Sequence, residues 1–150
     1  MDPHKLAVLY YFGDLQYWKL PQIAADALER GYDGDSLRRL AGLINPVASD
    51  IRAEEIDSAF TEMGVAAPLT KDYARLVLAA ESAAKAVHGD SNVFDAATHI
   101  RIHLCGFQDP PPELVRIVRL SEQAERGTAP WKRLETELKD AMRDFLHNPE

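Results

Sequence analysis

Apolar residues recur at intervals of three and four along most of the chain, and several of these stretches end at a glycine. This spacing places the apolar side chains on one stripe of an α-helix, and glycine is the residue that most often ends a helix. The pattern is clearest near the C-terminus, where the stripe comprises Trp131, Leu134, Leu138, Ala141, Met142 and Phe145. The sequence therefore predicts an all-α fold, a compact bundle of six or seven short amphipathic helices.

The same pattern predicts helices over residues 21–30, 36–41, 52–63, 71–88, 92–105 and 111–126. Thr70, Ser91 and either Asp35 or Ser36 are the expected N-terminal caps, and Thr128 before Pro130 marks the start of the last helix. The helix over residues 71–88 is expected to bury Tyr73, Leu76, Val77, Ala80, Ala83, Ala84 and Val87. Residues 6–12 are apolar throughout and could form a strand, but they lack a convincing partner strand, which favours a helix.

Length and composition are those of one ordinary globular domain. The chain has 150 residues, of which 46% are hydrophobic and 27% are charged. It contains no low-complexity tract and no linker long enough to separate two domains, so we expect a single helical domain over residues 1–150. The only cysteine, Cys105, cannot form an internal disulfide, and no secretory leader is recognisable. Together these features predict a cytoplasmic protein in a reducing compartment.

Negative charge is concentrated in one part of the chain. The net charge is −7, and residues 26–62 carry nine acidic residues against four arginines. This balance disfavours nucleic acid and anionic membranes as partners, because both are bound mainly through Lys and Arg. Arg38 and Arg39 follow a turn of suitable length for a helix-turn-helix, but the acidic surroundings argue against DNA binding. A basic protein is the partner that this charge would attract.

Asp95, His99 and His103 follow one another at intervals of four residues. On a regular α-helix this spacing stacks the three side chains on one face, where two imidazoles can share a metal ion. The segment lacks the glutamate of the zinc-protease helix, and no further ligand is identifiable. A polar, solvent-facing row is therefore the favoured interpretation, and a metal site at these residues is the alternative. No cofactor is predicted.

The segment from Ala27 to Gly42, Ala-Leu-Glu-Arg-Gly-Tyr-Asp-Gly-Asp-Ser-Leu-Arg-Arg-Leu-Ala-Gly, resembles a turn found in small uncharacterised bacterial all-helical proteins. The resemblance covers about a tenth of the chain and consists mostly of residues that end and start helices. It implies a bacterial origin and an all-helical fold, and it implies no activity. The Asp33-Gly34-Asp35-Ser36 turn within it also begins like a calcium loop, but the fifth and sixth positions do not fit.

Charge and the lack of a catalytic signature favour a non-enzymatic protein-binding module. The specific hypothesis is an immunity-type inhibitor, which binds a basic toxin through its acidic N-terminal half. The expected partner-binding residues are Asp33, Asp35, Glu54, Glu55 and Asp57. Two alternatives stay open: a metal-binding protein or enzyme centred on the Asp/His/His row, and a structural subunit that acts by forming homo-oligomers.

Overall fold

A computed structural model of the chain describes residues 2–66, 70–106, 108–127 and 129–147. These residues form eight α-helices and no strand, which confirms the predicted all-α class. The helices are α1 (Pro3–Phe12), α2 (Leu20–Glu29), α3 (Asp35–Ala41), α4 (Ala53–Glu62), α5 (Lys71–Val87), α6 (Val93–Thr98), α7 (Val115–Arg126) and α8 (Trp131–His147). The predicted number of six or seven was slightly too low.

Residue contacts divide the chain into two compact units, Met1–Ala74 (the N-terminal unit) and Arg75–Glu150 (the C-terminal unit). Helices α1 to α4 belong to the N-terminal unit, and α6, α7 and α8 belong to the C-terminal unit. Helix α5 begins in the first unit and continues in the second. The expectation of one domain over residues 1–150 stays a prediction.

In the N-terminal unit, α2 packs against α3, α3 packs against α4, and α1 also contacts α4. Residues 6–12 lie within α1, so the helical interpretation of this apolar stretch is confirmed. The Asp2 carboxylate caps α1 by accepting a hydrogen bond from the Lys5 backbone N–H at 3.2 Å. The buried core of this unit comprises Ala7, Leu20, Ala24, Ala27, Leu37, Leu40, Ile51, Ile56, Ala59, Phe60, Met63 and Val65.

In the C-terminal unit, α6 continues directly into a π-helical segment, His99–Cys105, and both contact α7. Asn92 caps α6 rather than the predicted Ser91, because its side-chain oxygen accepts a hydrogen bond from the Phe94 N–H at 2.7 Å. The buried Arg75 guanidinium donates to the carbonyl of Leu104 at 2.7 Å and so satisfies an acceptor near the end of the π segment. Helix α8 packs against α6 and α7.

The expected apolar stripes are only partly correct. On α8, the predicted residues Leu134, Leu138, Ala141 and Met142 are buried, whereas 61% of Trp131 is exposed. On α5, Ala83 alone among the seven predicted residues is fully buried; the helix instead buries Ala74, Arg75, Leu78, Ala79, Ala83 and Ala86. The Thr70 hydroxyl caps α5 as predicted, by accepting from the Tyr73 N–H at 3.1 Å. Thr128 lies outside the described residues.

Across the described ranges, every helix lacks the combination of length and hydropathy that a membrane span requires.

Candidate functional site

Three of the five predicted partner-binding carboxylates lie together at a cleft of the N-terminal unit. Asp35, Glu54 and Glu55 line this cleft, which has a volume of about 360 Å³. The other lining residues are Ser36, Arg39, Arg52 and Ser58. We call this feature the α3–α4 cleft, because its walls come from α3 and from the beginning of α4. The cleft carries three carboxylates and two guanidinium groups, whereas the sequence analysis predicted only an acidic surface here.

The arrangement of α3 and α4 is fixed by a carboxylate at the far end of α4. Glu62 accepts hydrogen bonds from the backbone N–H groups of Leu37 at 2.9 Å and Ser36 at 3.2 Å. It therefore provides the N-terminal cap that the sequence assigned to Asp35 or Ser36. Gly34 makes this contact possible, since a Cβ at that position would lie 2.1 Å from Glu62 Cδ. The end of α4 is thus held against the start of α3.

Glu55 is the most enclosed carboxylate of the cleft, because its side chain is only 10% exposed. Arg39 lies beside it, with Nε at 3.4 Å from Oε1 and Nη1 at 3.5 Å from Oε2. Both distances exceed those of a good charge-assisted hydrogen bond. Although Arg39 Nε is within ion-pair distance of Glu55 Oε1, this oxygen is buried and accepts no hydrogen bond from the described residues. The cleft therefore contains an acceptor whose bonding capacity is unfilled.

Glu54 also lies in the first turn of α4, where the helix dipole stabilises negative charge. Its side chain is exposed and makes no hydrogen bond or ion pair to the part of the chain that the structure describes. Of the three cleft carboxylates, Glu54 is therefore the one without an ion pair to the described residues, since Asp35 contacts Arg38 and Glu55 contacts Arg39.

Asp33 is directed to Arg38 rather than into the cleft. The Arg38 guanidinium donates to the two Asp33 oxygens at 2.9 Å and 2.7 Å, and a longer contact of 3.4 Å reaches Asp35. The hydrogen bonds from Arg38 hold the Asp33 pKa below its ordinary value of 3.8. Much of the charge on this carboxylate is therefore balanced within the chain.

Asp57 projects from α4 toward α1, where the Tyr11 hydroxyl donates a hydrogen bond to it. The neighbouring Tyr10 has a raised pKa, because burial and then the Asp57 charge both disfavour the phenolate. Asp57 thus joins two helices of the N-terminal unit and does not line the cleft. Of the five residues predicted from charge, three therefore line the cleft, and Asp33 and Asp57 each make a separate intramolecular contact.

The histidine row runs from α6 into the π segment of the C-terminal unit. Asp95, His99 and His103 are exposed, and the two imidazole rings stack with their centroids 5.0 Å apart. Asp95 lies in α6, whereas both histidines lie in the π segment, and the spacing of four still brings the two rings into contact. Within the described ranges, no three His, Cys, Asp or Glu side chains are grouped closely enough to hold a metal ion.

Cys105 is buried at the end of the same segment. Burial raises the pKa of its thiol, although the nearby Arg75 charge partly opposes this effect. A raised pKa reduces the thiolate fraction at neutral pH, so the geometry does not support a nucleophilic role.

The C-terminal unit also contains an apolar groove with a volume of about 630 Å³, which the sequence analysis did not predict. Its lining includes Phe94, Ile102, Ala124, Trp131 and Leu134. Ile102 and Trp131 are more than half exposed, so two large apolar side chains face solvent at the same groove. Arg101 also lines the groove, and it forms an ion pair with Glu125 at 2.8 Å and donates to the Ser121 hydroxyl at 3.0 Å.

No protein-family model, curated protein or solved structure shows significant similarity to the chain.

Proposed function

We propose that the chain is a protein-binding module that captures a basic protein through the α3–α4 cleft and the carboxylates around it. The observation that carries this proposal is the cleft itself, where Asp35, Glu54 and Glu55 converge and one buried carboxylate oxygen has no hydrogen-bond donor among the described residues. A cation of a partner would supply that donor. An immunity-type inhibitor, which blocks the phosphate-binding surface of a basic toxin, is the form of this activity that we favour.

The distribution of charge along the chain also supports the capture of a basic protein by the N-terminal unit. The N-terminal unit has twelve acidic residues against seven lysines and arginines, whereas the C-terminal unit has twelve against ten. A basic protein would therefore be steered toward the N-terminal unit during the encounter. Carboxylates at the rim mainly increase the association rate, while a buried contact in the cleft would slow dissociation.

Charge reversal in the cleft tests this proposal. The native chain and the Glu54→Lys/Glu55→Lys variant are immobilised and exposed to a lysate of the organism that encodes the chain. The matched control is Asp26→Lys/Glu29→Lys, which makes the same change in net charge at exposed positions of α2. Proteins retained by the native chain are identified, purified and titrated at several salt concentrations.

Loss of binding in the cleft variant, with retention in the α2 control, supports the proposal. Because Glu55 is largely buried, circular dichroism must first show that the cleft variant keeps its helices. Glu54→Lys alone, at an exposed position, provides a milder version of the same test. Equal capture of the same proteins by the native chain and both cleft variants would contradict an acidic binding surface.

One observation favours a second candidate, a subunit that forms homo-oligomers. Ile102 and Trp131 flank the apolar groove of the C-terminal unit and expose more than half of their surface. Exposed apolar patches often mark protein–protein contacts. Sedimentation velocity over a range of protein concentrations tests this candidate, and Trp131→Ala should shift any oligomer toward the monomer. A monomer at every concentration would contradict the homo-oligomer candidate.

A further inference from the structure

We infer that the α3–α4 cleft is a guanidinium-binding site that receives an arginine side chain of the partner. This inference rests on the proposed capture of a basic protein and specifies the group that is captured. Its starting point is Oε1 of Glu55, which is buried and accepts no hydrogen bond from the described residues. A buried carboxylate oxygen without a donor raises the free energy of the unbound chain, and a ligand that donates to it removes this penalty.

The ligand must be cationic. Glu54 and Asp35 stand at the same cleft as Glu55, so the lining carries one more negative than positive charge. Arg39 is 71% exposed on its side-chain surface and only loosely paired with Glu55, at 3.4 Å and 3.5 Å. An incoming cation can therefore displace it into solvent without breaking a short hydrogen bond. An anion would instead have to approach the enclosed Glu55 carboxylate, which repels it.

Guanidinium fits better than ammonium for geometric reasons. Its planar fork can donate two parallel hydrogen bonds to one carboxylate and still direct further N–H groups to Glu54 or to the hydroxyls of Ser36 and Ser58. It is also more weakly hydrated than an ammonium group, so entering an enclosed cleft costs it less. The same two-point geometry occurs on the neighbouring turn, where Arg38 donates to both oxygens of Asp33.

The test uses the full chain and a small probe, N-acetyl-arginine amide, followed by two-dimensional NMR of the backbone amides. The same titration is run with N-acetyl-citrulline amide, which has a similar shape but no charge, and with N-acetyl-lysine amide. Three variants accompany the native chain. Glu55→Gln removes the buried charge, Glu29→Gln removes an exposed charge outside the cleft, and Arg39→Gln removes the internal competitor.

We expect saturable shifts at Ser36, Arg52 and Ser58 with the arginine probe and none with citrulline. Affinity should fall about tenfold in Glu55→Gln, since a charge-assisted hydrogen bond is lost, and should be unchanged in Glu29→Gln. Arg39→Gln should bind the probe more tightly than the native chain. A merely structural role of Glu55 cannot produce that gain, so this variant keeps the test decisive even if Glu55→Gln were to unfold.

Equal affinity of the lysine and arginine probes would overturn the guanidinium assignment. So would shifts that never saturate, or weaker binding in Arg39→Gln. The result is independent of protein capture. Loss of capture in the Glu54→Lys/Glu55→Lys variant without probe binding overturns this inference alone, whereas probe binding with unchanged capture overturns the proposed function and leaves the site standing.

Discussion

Carboxylates connect separate elements in the N-terminal unit, whereas those of α8 in the C-terminal unit mostly pair along their own helix. In the N-terminal unit, Glu62 reaches α3, Asp57 reaches α1 and Glu55 contacts Arg39. On α8, three ion pairs are intrahelical and one reaches α7; they are Arg133–Glu137, Lys139–Glu135, Arg143–Asp140 and Arg116–Asp144. Exposed pairs within a helix contribute only a few tenths of a kcal/mol each.

This difference shows that a local excess of negative charge is not the same as a free acidic surface. Asp33 and Asp57 were counted with the partner-binding residues, yet both make intramolecular contacts. Mutating either of them would remove an intramolecular contact as well as a charge. Glu54 is the cleft residue whose replacement isolates the effect on binding.

The largest effect is expected from the apolar core of the C-terminal unit. Leu138 is fully buried, so Leu138→Ala should lower the free energy of unfolding by about 2–5 kcal/mol, through lost burial and the cavity that remains. Arg133→Ala on the same helix removes an exposed ion pair and should cost less than about 0.5 kcal/mol. Urea denaturation measures both. Similar costs for the two variants would contradict the view that packing, not charge, stabilises this unit.

In the N-terminal unit, removal of the Glu62 carboxylate should lower the free energy of unfolding. Glu62→Ala removes the cap of α3 and should destabilise the chain by about 1–2 kcal/mol. Glu54→Ala, an exposed carboxylate on the same helix, is the matched control and should change stability by less than about 0.5 kcal/mol. Urea denaturation again provides the measurement, and equal effects of the two variants would show that Glu62 does not act as a cap.

Gly34→Ala should reproduce this loss, because its Cβ would displace the Glu62 carboxylate from α3. The backbone of Gly34 is extended, with φ at 163°, so the cost does not come from backbone strain. The two substitutions should therefore be non-additive: the double variant should be about as stable as Glu62→Ala alone. Additive losses of stability in the double-mutant cycle would show that Gly34 does not act through the Glu62 cap.

The helices were predictable because their signals are local. Apolar spacing lies within a segment, a closing glycine follows most of the segments, and even the ambiguous residues 6–12 form a helix. The buried face of α5 was not predictable, since alanines on several sides of this helix offer more than one small-residue stripe. Adjacent capping residues, Ser91 and Asn92, were equally ambiguous.

The candidate site depends on contacts between residues far apart in the sequence. Counting charges identified Asp35, Glu54 and Glu55 as binding residues, but it did not show that Arg39 and Arg52 line the same cleft. The burial of Glu55 follows from the packing of α4 on α3, and the Glu62 cap spans 25 residues to Leu37. Likewise, no local signal in residues 99–105 distinguishes a π-helix from an α-helix.

A smaller, pH-dependent effect is expected at Asp33. Because Arg38 holds the pKa of Asp33 below 3.8 in the folded chain, this pair stabilises the fold above the ordinary carboxylate pKa. The stabilisation is lost as the pH falls through the lowered, folded-state pKa. The stability difference between the native chain and Asp33→Asn should therefore shrink on acidification. Carboxyl NMR should also show that Arg38→Gln raises the Asp33 pKa, and an unchanged midpoint would contradict the contact.

The smallest effect on stability is expected at the histidine row. A functional metal site there would mean that polar side chains of the C-terminal unit also do more than form local ion pairs. If the row is only solvent-facing, His99→Ala and His103→Ala should each change the free energy of unfolding by less than about 0.5 kcal/mol. The stacked rings lie on an exposed surface, so their removal leaves no cavity. Tag-free protein should then show no stabilisation by zinc or nickel in thermal unfolding. Stoichiometric metal that is lost in His103→Ala, together with a metal-dependent rise in Tm, would instead assign the row to metal binding, because a ligand that binds only the folded chain must stabilise it.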